Sequence, residues 1–194
     1  MRIVAGTAKG HRLKAPRSTA TRPTQDKVRE ALFSRIFQLI PDTRVLELYA
    51  GSGAIGLEAL SRGAQKVVMV DSSSAAQTTM RENANSTKLA ERCSIVASTV
   101  DSFLRSNRSQ FDIVIADPPY HREETSVDMV KELLEGDLLA NALVDEGLLV
   151  LETHANYRLD LPPTWRLHDD RTYGKSRLWY LFKQSEITAE SEPT

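Results

Sequence analysis

Residues 44–63 constrain the fold more tightly than any other stretch of this chain. Arg44-Val45-Leu46-Glu47-Leu48-Tyr49 reads as a strand, Ala50-Gly51-Ser52-Gly53-Ala54-Ile55-Gly56 follows at once, and Leu57 to Arg62 continues as a helix closed by Gly63. This is G-x-G-x-x-G in the strand–turn–helix setting that gives the pattern meaning. Its glycines let a ligand approach the backbone, and Gly56 allows the helix to pack closely on the strand. Lys66 to Asp71 reads as the next strand. It places Asp71, twenty residues after Gly51, at a strand tip where a carboxylate holds a ribose diol. Glu47 narrows the ligand. A helix N-terminus compensates the charge of a pyrophosphate, and a carboxylate four residues before Gly51 opposes one. The same carboxylate suits a ligand with a sulfonium and an α-ammonium, such as S-adenosylmethionine (SAM). The structural alternatives are that Glu47 caps a nearby backbone amide and that Asp71 N-caps the following helix.

A second constraint lies downstream. The apolar run Ile113 to Ala116 ends in Asp117-Pro118-Pro119-Tyr120, and the two prolines forbid both continued strand pairing and an immediate helix. The chain is therefore rigid just past a strand's carboxyl end, where open α/β sheets place their ligands. Prolines carry no N–H, so carbonyls of this loop find few local donors and can face a substrate. Asp117 adds an acceptor and Tyr120 a flat ring, a set suited to a planar heterocycle with an exocyclic amine. Read alone, the turn is equally an ordinary loop with a capping Asp; the glycine loop upstream favours the first reading.

Residues 2–4 and 11–14 form short alternating runs around Gly6 and Gly10, which predicts a β-hairpin. Its exposed positions carry Arg2, Lys9, His11, Arg12 and Lys14, an arm suited to phosphates. After a loop over 15–23, Thr24 is a good N-cap for an amphipathic helix over 25–39, with Arg22, Lys27, Arg29 and Arg35 on or near its polar side. Further helices are predicted over 73–87, around Phe103-Leu104 and over 122–140. Strands are predicted over 94–97, 112–116 and 146–152. This alternation predicts an α/β fold with a parallel sheet. Residues 163–183 switch to a β pattern that turns at Tyr173-Gly174-Lys175-Ser176, an edge hairpin in which Trp165 and Trp179 are packing residues. The loop from Ser98 to Asp101 is placed to contact an adenine ring, with Asp101 either a helix cap or an adenine partner.

Composition sets the class. The chain has 194 residues, 41% apolar and 26% charged, which fits one soluble globular domain. No signal-peptide apolar region opens it and no run approaches the ~20 apolar residues of a membrane span, so the cytoplasm is the default location. Cys93 is the single cysteine, so no intrachain disulfide forms. His11, His121, His154 and His168 show no ligand spacing, so no metal is implied. The net charge of −1 hides an asymmetry. Residues 1–40 hold nine Lys/Arg against Asp26 and Glu30, that is 9 − 2 = +7, leaving −1 − 7 = −8 for the remainder. Such a split suggests a polyanion at one end. The expected organisation is a basic hairpin arm and loop over 1–24, a catalytic domain over 25–183, and an acidic disordered tail over 184–194.

The residues also carry a family signature. The chain resembles the RsmD family of bacterial rRNA guanine-N2 methyltransferases from Met1 to about Lys183. The matching landmarks are Met1 to Gly6, Lys9-Gly10 with Leu13, Thr21-Arg22-Pro23-Thr24 and Val28 to Phe33. Val45 to Gly53, Leu57 to Ala64, Asp117 to Tyr120 and Tyr173-Gly174 complete the set. The glycine loop and the Asp-Pro-Pro-Tyr turn are shared with many amine methyltransferases; the basic N-terminus with Thr-Arg-Pro-Thr discriminates more. Glu47 stands where the family usually has Asp, and Thr99 where an acidic residue often follows the third strand.

The resemblance implies a Rossmann-like SAM-dependent methyltransferase fold, with a seven-stranded mostly parallel sheet and an N-terminal β-hairpin extension. It implies methylation of one guanine N2 amine in small-subunit (16S) rRNA, within an assembled or assembling 30S particle. Apart from the resemblance, a monomer without a metal is expected. SAM is expected on Glu47, Tyr49, Ala50, Gly51, Ser52, Gly53, Asp71, Ser72, Thr99 and Val100. Asp117, Pro118, Pro119 and Tyr120 are expected to hold the target base, and Lys9, Arg12, Lys14, Arg22 and Thr24 the RNA. The alternatives are an adenine-N6 DNA methyltransferase, for which 194 residues leave little room for a target-recognition region, and a non-catalytic RNA-binding protein that keeps the fold. A nicotinamide oxidoreductase is disfavoured by Glu47 and the lack of a catalytic His/Lys/Tyr set.

Overall fold

The computed structural model describes residues 1–16, 24–119 and 128–184, without the side chains of Thr24 and Gln25. Its centre is a seven-stranded sheet in the order β3-β2-β1-β4-β5-β7-β6. The strands are β1 (Arg44–Leu48), β2 (Lys66–Asp71), β3 (Cys93–Ala97), β4 (Phe111–Ala116), β5 (Leu143–His154), β6 (Trp165–Tyr173) and β7 (Ser176–Lys183). The first five pair in parallel; β7 runs antiparallel to β5 and to β6, which makes the expected edge hairpin. Trp165 and Trp179 are buried within it, as expected of packing residues.

Successive strand residues feed opposite cores, as the period of two requires. Val45, Ile113 and Ile115 pack with α1 (Thr24–Ile36), α2 (Ala54–Ser61) and α3 (Ser74–Ser86). Leu46, Leu48, Val114 and Ala116 pack with α4 (Val100–Ser106), α5 (Met129–Glu135) and α6 (Asp137–Asn141). Chain order reverses between β1 and β4, which are neighbours, and a crevice opens at such a switch beyond the strands' carboxyl ends.

Four expectations need correction. The predicted 122–140 helix is two short helices among its described residues, broken at Gly136, which is extended at φ −99°, ψ 156°. The fifth strand starts at Leu143, because an irregularity carries the pairing from Phe111↔Leu143 to Ile113↔Leu148. Gly147 permits that bulge, since an added Cβ there would lie 2.8 Å from the Val144 carbonyl. The first helix ends at Ile36 and closes in a single 3-10 turn, Phe37–Leu39. Arg29 does not lie on that helix's polar side. It is buried at 4% exposure, since it shares the i, i+3, i+4, i+7 stripe of Leu32, Phe33 and Ile36.

The N-terminal hairpin forms with little ladder. One antiparallel bridge joins Arg2 to Arg12, flanked by backbone bonds from Ile3 to His11 (3.0 Å) and from Gly10 to Ile3 (2.9 Å). Its Ile3, Ala8 and Leu13 are buried in the core of the α1–α3 face. Among the described residues no helix is long and apolar enough to cross a membrane.

Candidate active site

The glycine loop turns through left-handed backbone at Tyr49 (φ 58°), Gly51 (φ 55°) and Gly53 (φ 71°). Gly is at ease in this region; Tyr49 is held there at a cost of order 1–3 kcal/mol, a strain that marks a functional turn. An added Cβ at Gly53 would sit 2.7 Å from Met69 Sδ, and one at Gly56 would sit 2.7 Å from Glu47 Oε2. Both glycines thus serve close packing as well as turning. The loop's amides are largely spent on the protein. Ala50 donates to Val70 O (3.1 Å), Gly51 to Asp71 Oδ2 (2.8 Å) and Gly53 to Ala50 O (2.8 Å).

The two acidic residues of the motif do structural and site-facing work at once. Glu47 is buried at 2% exposure, and its Oε2 accepts from the Gly56 amide at 2.9 Å. Burial pushes its carboxyl up to about 8, against the pull of the Gly56 and Ile55 amides and of Arg29. A cationic ligand beside it would draw that proton off. Asp71 holds the Gly51 amide with one oxygen and the Ser73 amide with the other (both 2.8 Å), so it ties the glycine loop to the start of α3. The N-cap of α3 is Ser73 and not Asp71.

Two cavities meet at the strand tips. One, of about 410 Å³, is walled by Glu47, Ala50, Gly51, Ser52, Ile55, Arg29, Asp117 and Glu152, with Met1, Ala15 and Pro16 from the hairpin side. The other, of about 330 Å³, is walled by Ser98, Thr99, Val100, Asp101, Leu104, Met129, Glu132 and Leu133. Tyr49, Asp71, Ser72 and Pro119 line both, so a ligand spanning them would lay its middle over Asp71.

Most expected residues gather here, but not all. Gly53 shapes the loop without lining either cavity, and Pro118 is buried and lines neither, while Pro119 is exposed. Thr99 caps α4, its Oγ1 accepting from the Ser102 amide, while Asp101 pairs with Arg105 at 2.9 Å; both face the smaller cavity. Lys9 and Arg12 are exposed on the hairpin, and Lys14 is exposed and paired with Glu82 at 3.0 Å. The side chain of Thr24, and all of Arg22 and Tyr120, lie outside the described residues. Sequence reasoning missed Arg29, Ile55 and Glu152 in the larger cavity, and Leu104 and the α5–α6 wall in the smaller one.

Residues 1–182 match the family described as "Conserved hypothetical protein 95". The chain is 35% identical to Ribosomal RNA small subunit methyltransferase D of Escherichia coli K12, over 99% of this chain and 93% of that one. The chain belongs to the RsmD family. The protein of the same name in Haemophilus influenzae is 31% identical over 90% of this chain and 89% of its own. RsmD-family architecture extends to the solved structures. The one titled "Putative methyltransferase yhhF from Escherichia coli" superimposes with a TM-score of 0.82 at 31% identity, covering 96% of this chain and 99% of the other. The seven-stranded sheet with its antiparallel edge is thus a SAM-dependent methyltransferase fold.

Proposed function

We propose that this RsmD-family protein transfers a methyl group from SAM to the exocyclic N2 amine of one guanine in small-subunit rRNA, as a cytoplasmic monomer acting on an assembling or assembled 30S particle. The observation that carries the reading is the wall of the larger cavity. Glu47, Asp71, Asp117 and Glu152 surround a space next to the Asp117-Pro118-Pro119 turn, which favours a cationic co-substrate over a pyrophosphate. The names of the relatives support rRNA as the substrate, and the resemblance to their motifs supports guanine N2.

The amine's lone pair is delocalised into the purine, so the ground-state nucleophile is weak. Asp117 and the Pro118 carbonyl accept its two hydrogens and turn the lone pair towards the sulfonium methyl. The flipped-out base stacks on Tyr120. The N–CH₃ bond forms as the S–CH₃ bond breaks, leaving S-adenosylhomocysteine (SAH). The amine turns acidic as the methyl arrives, and Asp117 takes its proton late. Catalysis then comes mainly from positioning and electrostatics.

The test incubates the protein with methyl-labelled SAM and small ribosomal particles from cells lacking it, then identifies the labelled nucleoside by mass. N2-methylguanosine at one position is expected. Label in adenine of DNA with none in RNA would replace this reading with the DNA enzyme, and no SAM binding would leave an RNA-binding protein. Asp117→Ala should lower turnover by on the order of 10²–10³ while SAH affinity stays within a few-fold; equal loss of both would remove Asp117 from the chemistry.

A further inference from the structure

We propose that Arg29 anchors the α-carboxylate of the co-substrate's amino-acid end. The inference rests on the reading that SAM occupies the larger cavity. Arg29 is the single Lys or Arg among the described residues lining that cavity, set against four carboxylates. It is 4% exposed and held in place by its surroundings: Nη2 donates to the Arg2 carbonyl (2.6 Å) and to Asp26 (3.1 Å), and Nε lies 3.9 Å from Glu58 Oε2. Among the described residues none accepts a hydrogen bond from Nε. A buried guanidinium rarely keeps donors unused, and its fork matches a carboxylate.

The glycine loop strengthens the assignment by what it lacks. Loops of this type meet anions through backbone amides, but here the Ala50, Gly51 and Gly53 amides already donate to Val70, Asp71 and Ala50. Those three amides are not free for a carboxylate entering the cavity, which favours a side-chain partner. Glu47 supplies the complement. It lines the same cavity and feels the charge of Arg29. A carboxylate for the ammonium and a guanidinium for the carboxylate together match a zwitterionic α-amino acid. Specificity follows, because the cleft should reject thionucleosides that lack the carboxylate.

Calorimetric titration of the full chain with SAH and with S-adenosyl-3-thiopropylamine tests this. The second ligand keeps the nucleoside, sulfur and amine and lacks only the carboxylate. The wild type should bind SAH about tenfold or more tightly than the amine. Arg29→Met should lose that preference, weakening SAH about tenfold and leaving the amine within twofold. Arg29→Lys keeps the charge beside Asp26 and Glu58, so it guards against a folding defect; it should weaken SAH selectively and less. Equal weakening of both ligands would make Arg29 a structural tie and overturn the proposal, as would unchanged SAH binding in both variants. A wild type that binds neither ligand would overturn the SAM reading itself, an outcome distinct from any change in preference.

Discussion

Two hairpins flank the sheet, and they are held by different physics. The C-terminal one, β6 and β7, pairs at eight positions from Trp165↔Lys183 to Tyr173↔Ser176 and buries Trp165, Leu178, Trp179, Tyr180 and Leu181. The N-terminal one has a single bridge and is pinned by polar side chains of the helices beneath it, among them Arg29, which donates to the Arg2 carbonyl at 2.6 Å. Glu58, fully buried, accepts from the Val4 (2.7 Å) and Ala5 (3.0 Å) amides. Ser61 Oγ accepts from the Ala8 amide and donates to the Ala5 carbonyl. Asn83 accepts from the Lys14 amide and donates to the Lys14 and Ser52 carbonyls. Apolar packing is non-directional and tolerates small shifts, which suits an element away from the cleft. Directional bonds fix a register, which suits the hairpin whose Met1, Ala15 and Pro16 complete the cavity wall.

The comparison predicts that damage to the C-terminal hairpin reads as lost stability and damage to the N-terminal one as lost binding. The largest effect is expected from Trp179→Ala. The ring is 5% exposed, donates to Thr153 Oγ1 at 2.9 Å and lies under the Arg177 guanidinium at 3.9 Å. Its removal should cost about 3–5 kcal/mol and lower Tm by roughly 10 °C, with SAH affinity of the folded protein within twofold. A large loss of affinity in folded protein would break the comparison.

Gly6→Ala comes next. Gly6 sits at φ 82°, and a Cβ there would fall 1.7 Å from the Ser61 carbonyl oxygen, which is backbone and cannot swing aside. The hairpin must lift, freeing the amides that satisfy Glu58, at a cost of about 2–4 kcal/mol. Urea titration should show that loss, and calorimetry should show SAH weakened about tenfold. If stability fell and SAH binding did not, the hairpin would be scaffold alone. Asn83→Ala is milder. It strips the Lys14 amide and the Ser52 carbonyl of their partner, costing about 1–3 kcal/mol, and should weaken SAH several-fold by loosening the glycine loop. Asn83→Asp keeps the acceptor for Lys14 but loses both donors, so it should retain part of the stability and none of the loop restraint.

How much of this was legible follows from the same contrast. Backbone geometry that only a few residues satisfy leaves a mark: Gly51 and Gly53 at positive φ, the Pro118-Pro119 stop, and Gly174 turning the edge hairpin at φ 60°. Those features gave the sheet, the loop and the turn. Side chains that anchor through geometry leave none. Glu58 sits among Leu57, Ala59 and Leu60 in a helix buried along most of its length, and only its i+4 spacing from Arg62 (2.8 Å) hints at a partner. Arg29 stands at the head of an apolar i, i+3, i+4, i+7 stripe, so its position points to burial where its charge points to solvent, and in the fold position wins. The smaller cavity's wall was hidden for another reason. Leu104, Met129 and Leu133 are ordinary apolar residues, and the break at Gly136 that separates α5 from α6 looks in sequence like one glycine in a long helix.

The smallest effect on stability should come from the hairpin's outer face, and it sharpens the comparison most. Arg2 and Arg12 stand opposite each other in the only bridge described for this hairpin, and both are exposed, with Lys9 exposed at the turn. Like charges directly across a bridge are unfavourable by roughly 0.2–1 kcal/mol. A protein selected for stability alone would not keep them, whereas a phosphate lying between them turns repulsion into two attractions. Lys9→Gln with Arg12→Gln should therefore leave Tm unchanged or slightly raised. Each cation lost from a phosphate contact should reduce the slope of log K against log salt by about 0.7–0.9, so the double variant should flatten the slope for small-subunit RNA by about 1.4–1.8. SAH affinity should stay at the wild-type value, because neither side chain reaches the cavity. An unchanged salt slope would reduce the hairpin to the inner half of its role, a wall for the co-substrate with no hand in holding RNA.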